Sequence, residues 1–412
     1  MQVVVVVPEA ISAATLTRKV CGVGLLERTL ATAERAGAEE ILLIWPQSIP
    51  VEQFAPFLCS PVLRKKSKIR VVQVRSFDPA ARSHWTNLQD LLPDRFIWLP
   101  WNWVTYARAL ASLSDLEESP RNWSAPNWVS KTALVSGIAS QPHAAKLPEG
   151  VAVTSDATAA AAERFLVARS GKVLDGIHTS FNRWLCRPAV RWLTHTRATP
   201  NAVTLGGVVV AIFSAFAFAR GNYWSYVLGA VLFYIAGLFD EMDGMLARIK
   251  FADSPLGTYL EGFADGLSYL LLFGGVTIGL ARQYGKWELW VGAALLVGTV
   301  LSVLITTLMR KRATAADRPH EYLGTFYRRL EEDSSNWISR AARQVQAFQK
   351  RGVLIIYVVI FTVLGGLPLL FYLATLGSHL TWTLAIYFKR RFFRQATPSI
   401  SLRKIQASLE AS

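Results

Sequence analysis

The chain has 412 residues, of which 52% are hydrophobic and only 18% charged, with a formal net charge of +15. Soluble domains average about 25% charged residues, and the deficit lies after residue 200, which excludes a single soluble globule. The basic balance fits Lys and Arg set against anionic lipid or phosphorylated substrates, with no nucleic-acid partner. The three scattered cysteines fit a reduced compartment and exclude a disulfide framework.

Residues 1–165 predict a cytoplasmic α/β domain. Gln2–Val7, Glu40–Ile44, Ile69–Val74, Phe96–Leu99 and Val151–Thr154 read as strands, the first of them as a buried strand rather than a signal peptide. Leu25–Ala36, Ser83–Leu92, Tyr106–Leu113 and Ala157–Ala168 read as helices. Their alternation predicts a mostly parallel, Rossmann-like sheet covered by helices.

Residues 166–198 interleave Arg183, Arg187, Arg191 and Arg197 with Phe181, Trp184, Leu185, Trp192 and Leu193. That composition predicts a juxtamembrane helix lying in the membrane interface. Residues 199–395 predict six spans. Four run Val203–Ala219, Tyr223–Asp240, Thr258–Leu280 and Trp287–Met309. Val353–Phe388 is too long for one crossing of about 20 residues and divides at Gly365, Gly366 and Pro368. Arg310, Lys311, Arg312 and Lys389, Arg390, Arg391 follow the fourth and sixth spans, which predicts both termini on the cytoplasmic side of an inner or plasma membrane. Residues 396–412 read as a polar tail.

Chemistry concentrates between the second and third spans. Asp240 and Asp243 share a helix face that continues through Gly244 and Ala247 to Arg248, and Gly257, Glu261 and Asp265 line a face of the next helix at spacings of four. Acids beside membrane spans are costly and functional by default. Clustered carboxylates repel unless a hard divalent cation such as Mg²⁺ or Mn²⁺ neutralises them. The competing readings are a non-catalytic membrane scaffold, a divalent cation transporter and a solvated helix end.

The motif Asp240, Asp243, Gly244, Ala247, Arg248, Gly257, Glu261 and Asp265 resembles the CDP-alcohol phosphatidyltransferase signature D-x2-D-G-x2-A-R-x8-G-x3-D-x3-D. It departs at Glu261, where the family has Asp. The resemblance implies a metal-dependent transfer from a CDP-linked donor, of the CDP-diacylglycerol or CDP-inositol type, to a polar alcohol acceptor with loss of CMP. It implies metal ligation by Asp240, Asp243, Glu261 and Asp265, with Asp265 also the catalytic base. Gly244, Ala247, Arg248 and Gly257 would form the donor site. Thr199-Pro200-Asn201-Ala202-Val203-Thr204 resembles the family's entry to its first span and adds Asn201 and Thr204. Lys250 and Arg318 are loose acceptor-site candidates, and a homodimer accords with the family.

Within the first 165 residues, Gly24–Leu30 and Ala36–Ile41 resemble a sugar-phosphate nucleotidyltransferase, as in fusions that make CDP-inositol and join it to inositol phosphate. The expected glycine-rich phosphate loop is replaced by Pro8–Ala14, and Asn102 stands where that family has a metal-binding Asp, so the domain reads as degenerate. The expected whole is an α-helical membrane protein of six spans, carrying an N-terminal soluble α/β domain of nucleotidyltransferase type.

Overall fold

The computed structural model describes residues 1–9, 11–55, 59–64, 66–115, 123–136, 149–171, 177–313, 339 and 351–392. The chain divides into two compact units, Met1–Val203 with Glu241–Thr258, and Thr204–Asp240 with Tyr259–Ser412.

The first unit is built on a five-stranded sheet. Its strands are β1 (Gln2–Val6), β4 (Glu40–Pro46), β5 (Lys68–Val74), β6 (Arg95–Pro100) and β8 (Asn127–Ser130), in the order β5-β4-β1-β6-β8. β1 pairs in parallel with β4 and β6, and β4 with β5, whereas β8 runs antiparallel to β6; β2 (Lys19–Val20) and β3 (Val23–Gly24) form a separate antiparallel pair. Val3–Val6 are all buried, as a central strand covered on both faces requires. Val4, Ile44, Trp85, Phe96 and Trp98 belong to one core cluster.

Two details depart from the sequence reading. β8 has only four residues and gave no alternating signal. The Val151–Thr154 strand is Gly150–Ala152 (β9), which pairs antiparallel with Trp103–Thr105 (β7) in a separate two-stranded sheet. A side chain at Gly150 would collide with the Trp103 ring.

The helices follow their caps. The first unit's second helix, α2, runs Leu25–Arg35. Ser155 caps the helix Asp156–Arg169 by accepting the Thr158 N–H at 3.3 Å. Only Arg82–Thr86 of the expected Ser83–Leu92 is α-helical, and the rest forms turns. The juxtamembrane helix runs Ile177–Thr194 and leaves Phe181, Trp184 and Trp192 exposed. Asn102 serves the fold: its side-chain amide donates to the Val153 carbonyl at 3.2 Å, and its own carbonyl accepts the Val153 N–H.

The long apolar helices come next, and among the described residues five are long and apolar enough to cross a membrane: Pro200–Ala219, Tyr223–Lys250, Pro255–Tyr284, Trp287–Ile305 and Leu367–Phe388. The expected six-span count is not reproduced among the described residues. The described part of the remaining apolar helix, Arg351–Val363, has 13 residues. The break falls where expected: Gly365 has φ +72° and the Gly366 N–H closes on the Phe361 carbonyl at 2.7 Å.

Within the second unit, Gly275 and Gly279 form a small-x-x-x-small stripe. A Cβ at Gly275 would lie 2.5 Å from the Ala215 carbonyl oxygen, and one at Gly279 would strike the carbonyl of Phe218. Backbones approach closely there, as membrane helices do where small residues meet. Tyr223, Trp224, Tyr284, Trp287 and Trp290 are exposed at helix ends, an aromatic belt for the membrane–water boundary. These features define an integral membrane protein carrying an N-terminal α/β sheet.

Candidate active site

The acid motif sits on two consecutive helices. The helix Tyr223–Lys250 carries Asp240, Asp243, Gly244, Ala247 and Arg248, and Pro255–Tyr284 carries Gly257, Glu261 and Asp265. Asp243 is buried at 3% exposure, while Asp240, Glu261 and Asp265 are half-buried. Gly206 and Gly207 admit Phe239, whose Cβ lies 2.9 Å from where a Gly207 Cβ would stand. The missing side chains therefore bring the residue before Asp240 against the preceding helix.

The small residues of the motif have distinct neighbours. A Cβ at Gly257 would lie 3.2 Å from Asn201 Oδ1 and 3.1 Å from Ser254 Oγ, so Asn201 and Gly257 are brought together. Gly244 lies under the Arg248 guanidinium, 3.3 Å from where its Cβ would be. Arg248 Nε donates to the Ser170 carbonyl at 2.6 Å, which fixes the Arg248 side chain to the first unit. Thr204 is buried, at 8% exposure.

Other candidates change. The Lys250 ammonium, a loose acceptor-site candidate, is bonded to backbone oxygens. It donates to the carbonyls of Leu193, Thr196 and Ala198 at 3.1, 2.9 and 3.0 Å, so its three protons close the end of the juxtamembrane helix. Arg318 lies outside the described residues. Among the described residues, no three His, Cys, Asp or Glu side chains form a group able to hold a metal ion. The metal assignment of Asp240, Asp243, Glu261 and Asp265 therefore rests on donor chemistry: four carboxylates supply hard oxygen ligands.

Sequence reasoning passed over a second layer. Arg183 Nε donates to Glu241 Oε2 at 2.9 Å, both side chains being largely buried. Glu241, next to Asp240, is thus paired with the juxtamembrane helix. The motif helix ends in an unusual way. The Ala252 N–H reaches the Ala247 carbonyl at 2.9 Å, the closing bond of a Schellman end, and Phe251 takes the left-handed position at φ +56°. Glycine is the usual residue there, and a bulky side chain is disfavoured by about 1–2 kcal/mol. Arg28 and Arg35, both on α2, lie 5.0 and 4.5 Å from the Phe251 ring centroid. Buried cation–π contacts of this kind contribute roughly 0.5–2 kcal/mol each, enough to offset the backbone strain. Arg28, 1% exposed, donates to the carbonyls of Val20 and Ile249, both at 2.9 Å. Arg35 donates to the Phe251 carbonyl at 2.7 Å, and Arg64 pairs with Asp253.

These helices and their acids mark the class: an integral membrane protein with a carboxylate motif at the end of its second span. Residues 197–388 match the family model of CDP-alcohol phosphatidyltransferases. The chain is 30% identical over 105 residues to cholinephosphotransferase 1 of Gallus gallus, covering 24% of this chain and 30% of that protein. It is 34% identical over 77 residues to archaetidylinositol phosphate synthase of Methanothermobacter thermautotrophicus, covering 19% and 38%. It is 32% identical over 94 residues to phosphatidylinositol phosphate synthase of Mycolicibacterium smegmatis, covering 23% and 41%. The chain thus spans about a third of the length of the relatives it matches.

Proposed function

We propose that the chain moves a phosphoalcohol or phosphatidyl group from a CDP-linked donor to an acceptor alcohol in phospholipid biosynthesis, releasing CMP. The observation that carries this reading is the family match over 197–388, with Asp240, Asp243, Gly244, Ala247, Arg248, Gly257, Glu261 and Asp265 in register on two consecutive helices.

In this reading Asp240, Asp243, Glu261 and Asp265 hold Mg²⁺ or Mn²⁺, which when bound neutralises the donor pyrophosphate. Asp265 takes the proton from the acceptor hydroxyl. The hydroxyl oxygen forms a bond to the donor's β-phosphorus as the bond to CMP breaks. Asn201, Thr204, Gly244, Ala247, Arg248 and Gly257 seat the cytidine and pyrophosphate. Relatives named for inositol-phosphate products favour inositol phosphate as acceptor. The membrane is the inner or plasma membrane, with both chain ends on the cytoplasmic side, and a homodimer fits the family. Residues 1–165 are a nucleotidyltransferase-like domain without transferase chemistry of its own, in keeping with the structural role of Asn102.

The test supplies the purified full chain with labelled CDP-diacylglycerol or CDP-inositol, a panel of polar alcohols and Mg²⁺ or Mn²⁺, and identifies products by mass. Metal-dependent CMP release with a matching product is expected. Metal flux into vesicles without CMP selects a transporter instead, and neither activity selects a scaffold.

A further inference from the structure

We propose that Arg28 and Arg35, acting on Phe251, are positioning residues that set the last turns of the motif helix and hence the pose of Asp243, Gly244, Ala247 and Arg248. This rests on the transfer reading above. The groups involved lie in the first unit, which contains Glu241–Thr258 as well as the N-terminal sheet. The N-terminal residues therefore act through the helix Leu25–Arg35.

Three observations converge. The first is Phe251 itself: a helix end closed by a left-handed residue prefers glycine, and the chain keeps glycine at the equivalent place, Gly365, at the end of Arg351–Val363. At Phe251 the ring is retained against that preference, and the two guanidinium groups that lie over it give the reason. Such strain persists where the surroundings over-determine it.

The second is the bonding of Arg28. Ile249 is in the final turn, where carbonyls lack helical partners, and Arg28 supplies its donor from 221 residues away in the chain. Arg28 Nε has no hydrogen-bond partner among the described residues. The side chain is thus committed to the Val20 and Ile249 carbonyls and the Phe251 face. The third is reinforcement on either side: Arg35 and Arg64 meet Asp253, and Arg248 and Lys250 are tied to Ser170 and to the end of the juxtamembrane helix. The last turns of the helix, which carry four motif residues, are thereby fixed by groups distant in the chain.

The experiment compares the full chain with Phe251→Gly, Phe251→Tyr, Arg28→Lys and Arg35→Lys in lipid nanodiscs. Phe251→Gly suits the backbone conformation and removes only the ring, so it separates positioning from folding. Amide exchange is followed over residues 247–253 and over β1, and CMP release is measured against donor and Mg²⁺ concentration. Phe251→Gly is expected to speed exchange over 247–253 at least tenfold with β1 unchanged. It is expected to lower kcat about tenfold with donor KM within threefold, and Phe251→Tyr is expected to restore both. Unchanged exchange in Phe251→Gly overturns the proposal, as does faster exchange with unaltered kcat. If the unsubstituted chain releases no CMP from any donor, the transfer reading falls. The positioning role is then judged on exchange alone, where faster exchange over 247–253 supports it and unchanged exchange overturns it.

Discussion

Lys250 Nζ lies 2.9 Å from the Thr196 carbonyl oxygen and donates to it. With Leu193 and Ala198 the same ammonium serves three carbonyls, and the end of the juxtamembrane helix is tied to the end of the second span. Hydrogen bonds to charged groups contribute about 1.5–3 kcal/mol. Lys250→Met is expected to destabilise the folded chain by an amount in that range, read as a lower thermal unfolding midpoint in detergent, while leaving the KM for the acceptor unchanged. A raised acceptor KM in the folded variant would return Lys250 to the acceptor site.

Asp265→Asn keeps the size and polarity of the side chain and removes its ability to take a proton. Loss of a general base typically costs about 10²–10⁴-fold in rate. CMP release is expected to fall by at least 10²-fold while size-exclusion behaviour and unfolding midpoint stay unchanged. Removing divalent metal with a chelator is expected to abolish release in the unsubstituted chain, with Mg²⁺ or Mn²⁺ restoring it. Turnover persisting in chelator would remove the metal from the reading.

Gly279→Leu would force a branched side chain against the Phe218 carbonyl and the Tyr226 ring. Overpacking in a well-filled core costs about 1–3 kcal/mol, and here the obstacle is backbone, which cannot rotate aside. The variant is expected to aggregate or to lose several degrees of thermal stability in detergent. Gly262→Leu, where nothing lies within 4 Å of a Cβ, is the control expected to remain monodisperse.

The three thiols should separate by reactivity. Cys59 is exposed, whereas Cys21 and Cys186 are buried. Burial, opposed by Arg28, pushes the Cys21 thiol up from 9.0 to about 11. Burial and then Glu241, opposed by Arg183, push the Cys186 thiol up to about 12. A water-soluble maleimide at pH 7.5 is expected to label Cys59 alone. A raised folded pKa means that the fold favours the neutral thiol. That stabilisation is fully present below about pH 9 and is lost as pH rises through about 11. Cys21→Ser is expected to flatten that alkaline loss in a pH series of unfolding midpoints.

What the sequence disclosed depended on how local the cause was. The run Val3–Val6, the apolar helices and the break at Gly365–Gly366 follow from hydrophobic pattern and turn chemistry within a few residues, and the acid motif is legible because its spacing matches the helical repeat. β8 was hidden because four residues beside Pro126 carry too little alternation. The Arg28–Ile249 bond was invisible because it joins groups 221 positions apart. Only Phe251, a bulky residue where a helix should end in glycine, carried any local trace of it.

Because Glu241–Thr258 completes the unit begun at Met1, the order of synthesis matters for this chain. When the N-terminal strands leave the ribosome, Arg28 and Arg35 still lack Ile249 and Phe251, and two membrane segments must emerge before those acceptors exist. Assembly of the water-exposed layer is thereby coupled to delivery of the first hairpin into the bilayer. A nascent chain halted before residue 249 would hold a sheet whose helix Leu25–Arg35 keeps two guanidinium groups uncovered.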